Sequence, residues 1–364
     1  MIPLRISADA PDAALPFVVR VGRSLDEDWP REMPSAKVIA VDSAGVTLET
    51  PAGRLHLKGV ALQECAGDVL LVFPETRIAH RLIRARSLHN TFLVTEQCDQ
   101  SCVMCSQPPK KHHLDLFPYF EAAAMLAPSG MVIGISGGEP TLHKEPLLAF
   151  LTRTLAKRPD LRFHVLTNAQ HFEEEDCGRL CHPDFRRVTW GIPLYADEPA
   201  LHDRIVRKEG AFSRLMESFA VLARSGALIE LRSVLLRQNA DCLPALASFI
   251  AGRLPFITRW AIMQLENIGY ARQNWAGIFY DHSTAFGPLG AALDIGRARG
   301  IDVRLYNFPL CTVPEAYRTL ADRSISDWKR RYLPVCVDCR ARERCTGFFE
   351  WYPEKHGFMN IAPQ

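Results

Sequence analysis

Apolar positions along the chain fall into two regimes. Between Leu15 and Phe73 they form short β-prone runs, Phe17-Val-Val-Arg-Val-Gly22, Lys37-Val-Ile-Ala-Val41 and Val46-Thr-Leu-Glu49. Asp42-Ser-Ala-Gly45 and Pro51-Ala-Gly53 separate them at hairpin length, which predicts antiparallel strands. From Thr91 onward an apolar run, a loop and a helical stretch alternate about six times. The predicted strands are Thr91 to Thr95, Met131 to Ser136, Arg162 to Thr167, Arg187 to Pro193, Glu230 to Leu236 and Ile257 to Gln264. Several are apolar on both faces, as buried parallel strands are. Between two of them, Phe212, Leu215, Met216, Phe219, Leu222 and Ala223 repeat at helical period, with Gly226 placed as a C-terminal stop. Alternation of this kind predicts a parallel α/β organisation, preceded by a small β domain ending near Leu88. That first segment carries no chemical motif, and its Cys65 reads as a small buried hydrophobe.

With 364 residues, 48% hydrophobic and 23% charged, the chain is long enough for two or three cores. A net charge of +2 provides no global field to attract nucleic acid or an anionic membrane. The basic run Lys110-Lys-His-His113 reads as a solvated loop. Met1-Ile-Pro-Leu-Arg-Ile-Ser has no secretory pattern and no apolar run reaches bilayer length, so the expected location is the cytoplasm. In a reducing compartment, cysteines clustered at ligand spacings read as metal or cluster ligands rather than disulfides, and seven of the eleven are so clustered.

The first cluster is Cys98-Asp-Gln-Ser-Cys102-Val-Met-Cys105. Thiolates on one tight loop at this spacing can take three corners of a cubane iron-sulfur cluster and leave the fourth iron open. A structural zinc site normally recruits four ligands in two pairs, and neither His112 nor His113 stands at pair spacing. Ser136-Gly-Gly-Glu-Pro-Thr141 follows, a segment that alone is only a turn. The two motifs in this order resemble the radical SAM family. That resemblance implies a partial (β/α)6 barrel and a 4Fe-4S cluster on Cys98, Cys102 and Cys105. It also implies S-adenosylmethionine bound at the open iron beside Gly137, Gly138, Glu139 and Pro140, with Met104 passing the adenine. In barrels of this type the loops after the strand ends build the site. The cysteine loop, Gly137 to Glu139, Asn168, and Tyr195 with Asp197 follow four successive predicted strands, so all are expected on one rim.

Other positions carry weaker signals. Thr167-Asn168 resembles the Thr-Asn-Gly of peptide-modifying family members, with Ala169 in place of glycine, and places Asn168 close to the cofactor. Arg232 has the planar fork to pair with the methionyl carboxylate, and equally to pair with Glu230. His202 and Asp203 resemble a family His-Asp step and are assigned no catalysis. Cys177 and Cys181 stand one helical turn apart, with His182 adjacent, and are expected to pack inward; with Cys242 they are assigned no site.

A second group, Cys311, Cys336, Cys339 and Cys345, supplies four thiols, a count that suits zinc as well as a cluster. The spacing of Cys336, Cys339 and Cys345 resembles the auxiliary-cluster module called twitch, related to the longer SPASM module, and implies a second 4Fe-4S cluster. Three segments together resemble a narrower group, the His-Xaa-Ser system radical SAM maturase family. They are Thr95 through Pro109, Met263-Gln-Leu-Glu-Asn-Ile-Gly-Tyr-Ala271 and Ser324-Ile-Ser-Asp-Trp-Lys329.

The expected organisation is therefore residues 1–88 as a β-rich domain, 89–305 as the radical SAM partial barrel and 306–364 as the auxiliary module. The resemblance implies reductive cleavage of S-adenosylmethionine and hydrogen abstraction from a ribosomally made precursor peptide or small protein. Implied partners are a second maturase of the superfamily and an electron donor such as a flavodoxin or ferredoxin. Two alternatives stay open, a radical SAM enzyme acting on a small metabolite and a non-catalytic iron-sulfur partner protein.

Overall fold

The computed structural model describes residues 4–23 and 35–364; Met1-Ile-Pro3, read above for a secretory pattern, lies outside them. Among the described residues seven strands close a barrel: β1 (Arg5–Asp9), β2 (Phe17–Val21), β3 (Ser35–Asp42), β4 (Gly45–Thr50), β5 (Gly53–Lys58), β6 (Val69–Phe73) and β7 (Ile78–Ile83). A one-turn helix, α1 (Leu62–Cys65), joins β5 to β6. The hairpins fall where the pattern places them, and the Asp42 carboxylate accepts the Ala44 and Gly45 N–H groups at 2.7 and 3.0 Å to set the first. Closure comes from β1, which pairs antiparallel with both β5 and β7. Alternate residues point inward, so Val19, Val38, Leu48, Leu55, Leu57 and Leu70 fill the barrel, and Cys65 is fully buried as expected.

The second regime gives β8 (Asn90–Thr95), α2 (Phe117–Met125), β9 (Val132–Gly137), α3 (Lys144–Lys157), β10 (Arg162–Leu166), α4 (Cys177–Leu180) and β11 (Val188–Pro193). After these come α5 (Pro199–Val206), α6 (Ala211–Ser225), β12 (Leu228–Val234), α7 (Leu243–Arg253), β13 (Arg259–Met263), α8 (Tyr270–Ile278), α9 (Gly287–Ala298), β14 (Val303–Tyr306) and β15 (Ala321–Asp322). The sheet order is β15-β14-β13-β12-β11-β10-β9-β8, so neighbours in space are neighbours in sequence. From β11 to β15 every pairing is parallel. All six expected strands are present, and the sheet continues past them through β14 and β15. Those two are only four and two residues long, too short to leave a periodic signal.

The predicted helix is α6. Its Phe212, Leu215, Phe219 and Leu222 are buried, and Gly226 ends it with φ +63°. Its first turn is held by Asp203, whose carboxylate accepts the Gly210 and Phe212 N–H groups at 2.7 and 2.8 Å, a capping role for the His-Asp step. After β15 the chain is mostly irregular, with three short 3-10 turns and one short antiparallel pair, β16 (Arg330–Arg331) and β17 (Phe348–Phe349).

The chain divides into two compact units. One comprises Met1–Val94, Leu114–Ile135 and Glu145–Phe163; the other comprises Thr95–His113, Ser136–Lys144 and His164–Gln364. In the first, Phe92 stacks on Phe120 at 4.8 Å between ring centroids. Its barrel also buries an ion pair: Arg81 Nε donates to Asp68 Oδ2 at 2.8 Å, with the two side chains only 1% and 4% exposed. Asp68 further accepts the Ala85 N–H at 2.8 Å. Removing a carboxylate from a buried pair leaves a costly cation behind. Asp68→Ala should therefore destabilise the protein by about 3–5 kcal/mol in denaturant unfolding, far more than removal of a solvent-facing partner such as Asp9.

Candidate functional site

Two loops of the second unit meet through their backbones. The Gly138 N–H donates to the Thr95 carbonyl at 2.9 Å and the Glu139 N–H to the Gln97 carbonyl at 2.7 Å. The approach is too close for side chains. A Cβ at Gly137 would lie 2.2 Å from the Thr95 oxygen, and one at Gly138 would lie 2.1 Å from the Gln97 oxygen. The two glycines therefore bring the Gly-Gly-Glu-Pro segment against the start of the cysteine loop.

Glu139 is fully buried, and its carboxylate takes four protein donors, three on Oε1 and one on Oε2. It accepts from the Thr141 N–H at 2.8 Å, the Thr141 hydroxyl at 2.5 Å, the Thr167 hydroxyl at 2.6 Å and the Asn168 N–H at 2.5 Å. Burial raises its pKa above the ordinary glutamate value despite those donors. Asn168 then reaches back, its Nδ2 donating to Asp99 at 2.8 Å. Asp99 also holds Lys208 and, at 3.2 Å, His171. Its burial opposes ionisation, but these partners win and keep it well below the usual carboxylate range. Ala169 sits in the left-handed region at φ +55°, which accounts for glycine at the matching position of the Thr-Asn-Gly pattern.

The cysteine loop is clamped from two further sides. The Val103 N–H donates to the Ile205 carbonyl at 2.9 Å, and the Tyr270 N–H donates to the Cys105 carbonyl at 2.8 Å. Asn274 Nδ2 donates to the Val103 carbonyl at 2.8 Å. Gly269, at φ +59°, permits the Tyr270 contact, because a Cβ there would lie 2.5 Å from the Cys105 oxygen. Burial pushes the Cys98 thiol up to about 11 and, with its neighbouring thiols adding to it, Cys102 up to about 12. Met104 is buried in the adjoining apolar cluster with Tyr195, Leu265 and Phe348.

Several residues singled out in the sequence have structural partners. Arg232 pairs with Glu230 at 2.5 Å, the alternative to a ligand carboxylate. His202 is buried and its Nδ1 faces the Tyr195 N–H at 3.4 Å. His113 is not a solvated loop residue, for its ring stacks on His143 at 3.6 Å and its Nδ1 meets the Thr95 hydroxyl at 3.2 Å. Cys177 and Cys181 do not pack inward; Cys181 is exposed and Cys177 partly so. Cys242 is partly buried.

Cys311, Cys336, Cys339 and Cys345 line one small solvent-open pocket. Cys345 Sγ accepts two backbone N–H groups, from Leu310 and Gly347, each at 3.3 Å. Cys339 Sγ accepts the Gln364 N–H at 3.4 Å. Burial, with the other three thiols adding to it, pushes Cys311 up to about 12. Among the described residues no three His, Cys, Asp or Glu side chains converge as tightly as one metal ion requires. The second set suits iron-sulfur ligation, because its four thiols line one pocket and two of them accept backbone N–H groups. In the first loop Cys98 Sγ accepts the Gln100 N–H at 3.4 Å, and the Cys102 and Cys105 thiols face the Gln100 Oε1 and Gln107 carbonyl oxygens. The segments Met263–Ala271 and Ser324–Lys329 meet each other, with Lys329 Nζ 3.2 Å from Glu266.

Pattern reading missed Gln264. Just beyond β13, it is only 4% exposed and faces an aromatic cavity lined by Trp275, Phe279, Phe348 and Tyr352. Its amide N–H2 and oxygen have no hydrogen-bond partner.

Residues 92–250 match the Radical SAM superfamily. This stretch is a radical SAM domain. Superfamily membership of these residues implies a 4Fe-4S cluster and S-adenosylmethionine. A curated relative, the GTP 3',8-cyclase of Rhizobium etli (strain CIAT 652), is 30% identical over 175 residues, 44% of this chain and 47% of that one. The chain thus spans about half the length of the curated relatives it matches. Among solved structures, Streptococcus suis SuiB bound to precursor peptide SuiA overlaps 61% of this chain and 49% of its own at a TM-score of 0.48 and 15% identity. A radical SAM methyltransferase from Sphaerobacter thermophilus overlaps 75% and 77% at 0.44 and 16% identity. Among the described residues no helix is long and apolar enough to cross a membrane.

Glu230 supports a pH test of the Arg232 pairing. Burial pushes its carboxyl up, but His164 and Arg232 outweigh it and leave it at about 2. A depressed carboxyl contributes stability above its unfolded pKa and loses it as pH falls toward the folded one. Between about pH 4.5 and 2 the native chain should lose about 3 kcal/mol more than Glu230→Gln, read as the difference between their unfolding free energies.

Proposed function

We propose that this enzyme is a radical SAM maturase that modifies a ribosomally made peptide or small protein, in a system of the His-Xaa-Ser type. The observation that carries the peptide reading is Gln264. An amide with unmet donors and acceptor in an apolar cavity is complementary to another amide, and a peptide repeats that group at every residue. The three segments resembling the His-Xaa-Ser maturases, one of which contains Gln264, support the same reading.

When bound, a 4Fe-4S cluster on Cys98, Cys102 and Cys105 with S-adenosylmethionine would supply one-electron chemistry able to abstract a hydrogen atom from substrate. The chain's own residues hold and shield. Cys98, Cys102 and Cys105 are assigned as thiolate ligands. Gly137, Gly138, Glu139 and Pro140 are assigned to the cofactor's amino end. Met104 is assigned to the adenine, and Asn168 and Arg232, anchored by Asp99 and Glu230, to orientation of the methionyl end. The apolar cluster around Met104, Tyr195 and Leu265 excludes water that would quench a radical. Cys311, Cys336, Cys339 and Cys345 are assigned a second 4Fe-4S cluster. A flavodoxin or ferredoxin as reductant and a second maturase complete the proposed system.

Identity with GTP 3',8-cyclases favours a second reading, a small metabolite as substrate. Mass spectrometry after incubation with S-adenosylmethionine and reductant separates the two: 5'-deoxyadenosine formation stimulated by a co-encoded peptide carries the first, and stimulation by small metabolites alone overturns it.

Iron analysis tests the ligand sets. After anaerobic reconstitution about eight irons per chain should fall to about four when Cys98, Cys102 and Cys105 are replaced together. Four falling to near zero would remove the auxiliary cluster, and iron indifferent to the triple change would sink the assignment. For the amide pocket, Gln264→Leu should raise the peptide KM about tenfold, the worth of about 1.4 kcal/mol, with the loss falling on KM rather than kcat.

A further inference from the structure

Helix α4 is a single turn set between two 3-10 turns, Glu174–Asp176 and Pro183–Arg187. The Cys181 N–H donates to the Cys177 carbonyl at 2.9 Å, which sets the two side chains one turn apart on one side. Their sulfurs lie 3.8 Å from each other. Neither thiol is in the core, Cys181 being exposed and Cys177 partly exposed. The pair also hangs on the site already described. Cys177 follows Asp176, whose carboxylate holds Lys144 at 2.9 Å, and Lys144 additionally donates to the His171 carbonyl at 3.0 Å. Lys144 directly follows the Pro140–His143 turn of the Gly-Gly-Glu-Pro segment, and His171 is the residue that meets Asp99.

We infer that Cys177 and Cys181 form a reversible redox dithiol, a surface site that exchanges with low-molecular-weight disulfides of the glutathione type. Exposure assigns the first attack to Cys181. Its thiolate attacks one sulfur of the small disulfide, whose S–S bond breaks to release one thiol and leave a mixed disulfide. Cys177 then displaces the second small thiol and closes the Cys177–Cys181 bond. Two electrons pass from the protein sulfurs to the small disulfide, and the two protein protons end on the two released thiols.

The geometry makes this bond attainable and weak. The sulfurs must close from 3.8 Å to bonding distance, about 2.05 Å. Side chains one helical turn apart have Cβ atoms about 5–6 Å from each other, whereas a disulfide wants about 3.5–4.5 Å. A long helix would resist that contraction, but a lone turn between 3-10 segments can tighten. The residual strain makes the bond easy to reduce, which is the property of a labile disulfide rather than a structural one.

Trypsin provides a direct readout, because it cleaves at Arg179, between the two cysteines. The reconstituted holoprotein is incubated anaerobically with oxidised glutathione, alkylated and digested without reduction. The expected product is peptide 163–179 joined to peptide 180–186, lighter by two hydrogens than their sum and separated by dithiothreitol. In Cys177→Ser the second displacement is blocked, so Cys181 should retain a glutathionyl adduct at least tenfold above its level in the native chain. Recovery of the native peptides separately, with both cysteines alkylated or each carrying its own adduct, would overturn the inference.

Discussion

Two backbone hydrogen bonds, Gly138 to Thr95 and Glu139 to Gln97, hold the chemistry of this chain together. They join segments some forty residues apart in sequence, and they form only because neither glycine carries a side chain. Everything around them extends the same contact. The buried Glu139 carboxylate collects Thr167 and Asn168 from the loop after β10, and Asn168 returns through Asp99 to the cysteine loop itself. The result is a closed circuit of hydrogen bonds through three loops, with one carboxylate at its centre and another on its rim. In such a circuit no member can shift without uncovering a buried polar group, so the cysteines inherit the rigidity of the sheet ends.

This circuit recasts the acidic residue of the Gly-Gly-Glu-Pro segment. From sequence it is a ligand contact; in the fold it accepts four hydrogen bonds from hydroxyl and amide donors of the protein, three of them on Oε1. A carboxylate held in this way fixes the loop that carries it. Asp99 does the same for the opposite loop through Lys208 and His171.

Much of this was legible in the residues. Strands buried on both faces are continuous apolar runs, and all six expected from Thr91 onward are present; α6 announced itself by its period and by Gly226. The motif loops were visible because their chemistry demands particular residue types at particular intervals. Three kinds of feature were not visible. Barrel closure by β1 depends on pairing between strands distant in sequence. Strands β14 and β15 are shorter than the period that would reveal them. Gln264 looks like any polar residue after a strand until aromatic side chains from α8 and from residues 348–352 enclose it. The inward packing expected of Cys177 and Cys181 failed for a related reason, since a four-residue helix has too little apolar face to direct its cysteines to the core.

The second group of cysteines has a consequence for the chain's entropy. Cys311 and Cys345 stand 34 positions apart and come together in a stretch built of 3-10 turns and one two-residue strand pair, with no long ladder of hydrogen bonds to hold it. Any inorganic group that ties those sulfurs closes a loop of that length. In the chain-entropy picture a cross-link over a loop of this size is worth about 3–4 kcal/mol, drawn from the freedom it denies the unfolded chain. The stretch between Cys311 and Cys345 would then owe its shape to a knot of sulfur and metal as much as to its peptide backbone.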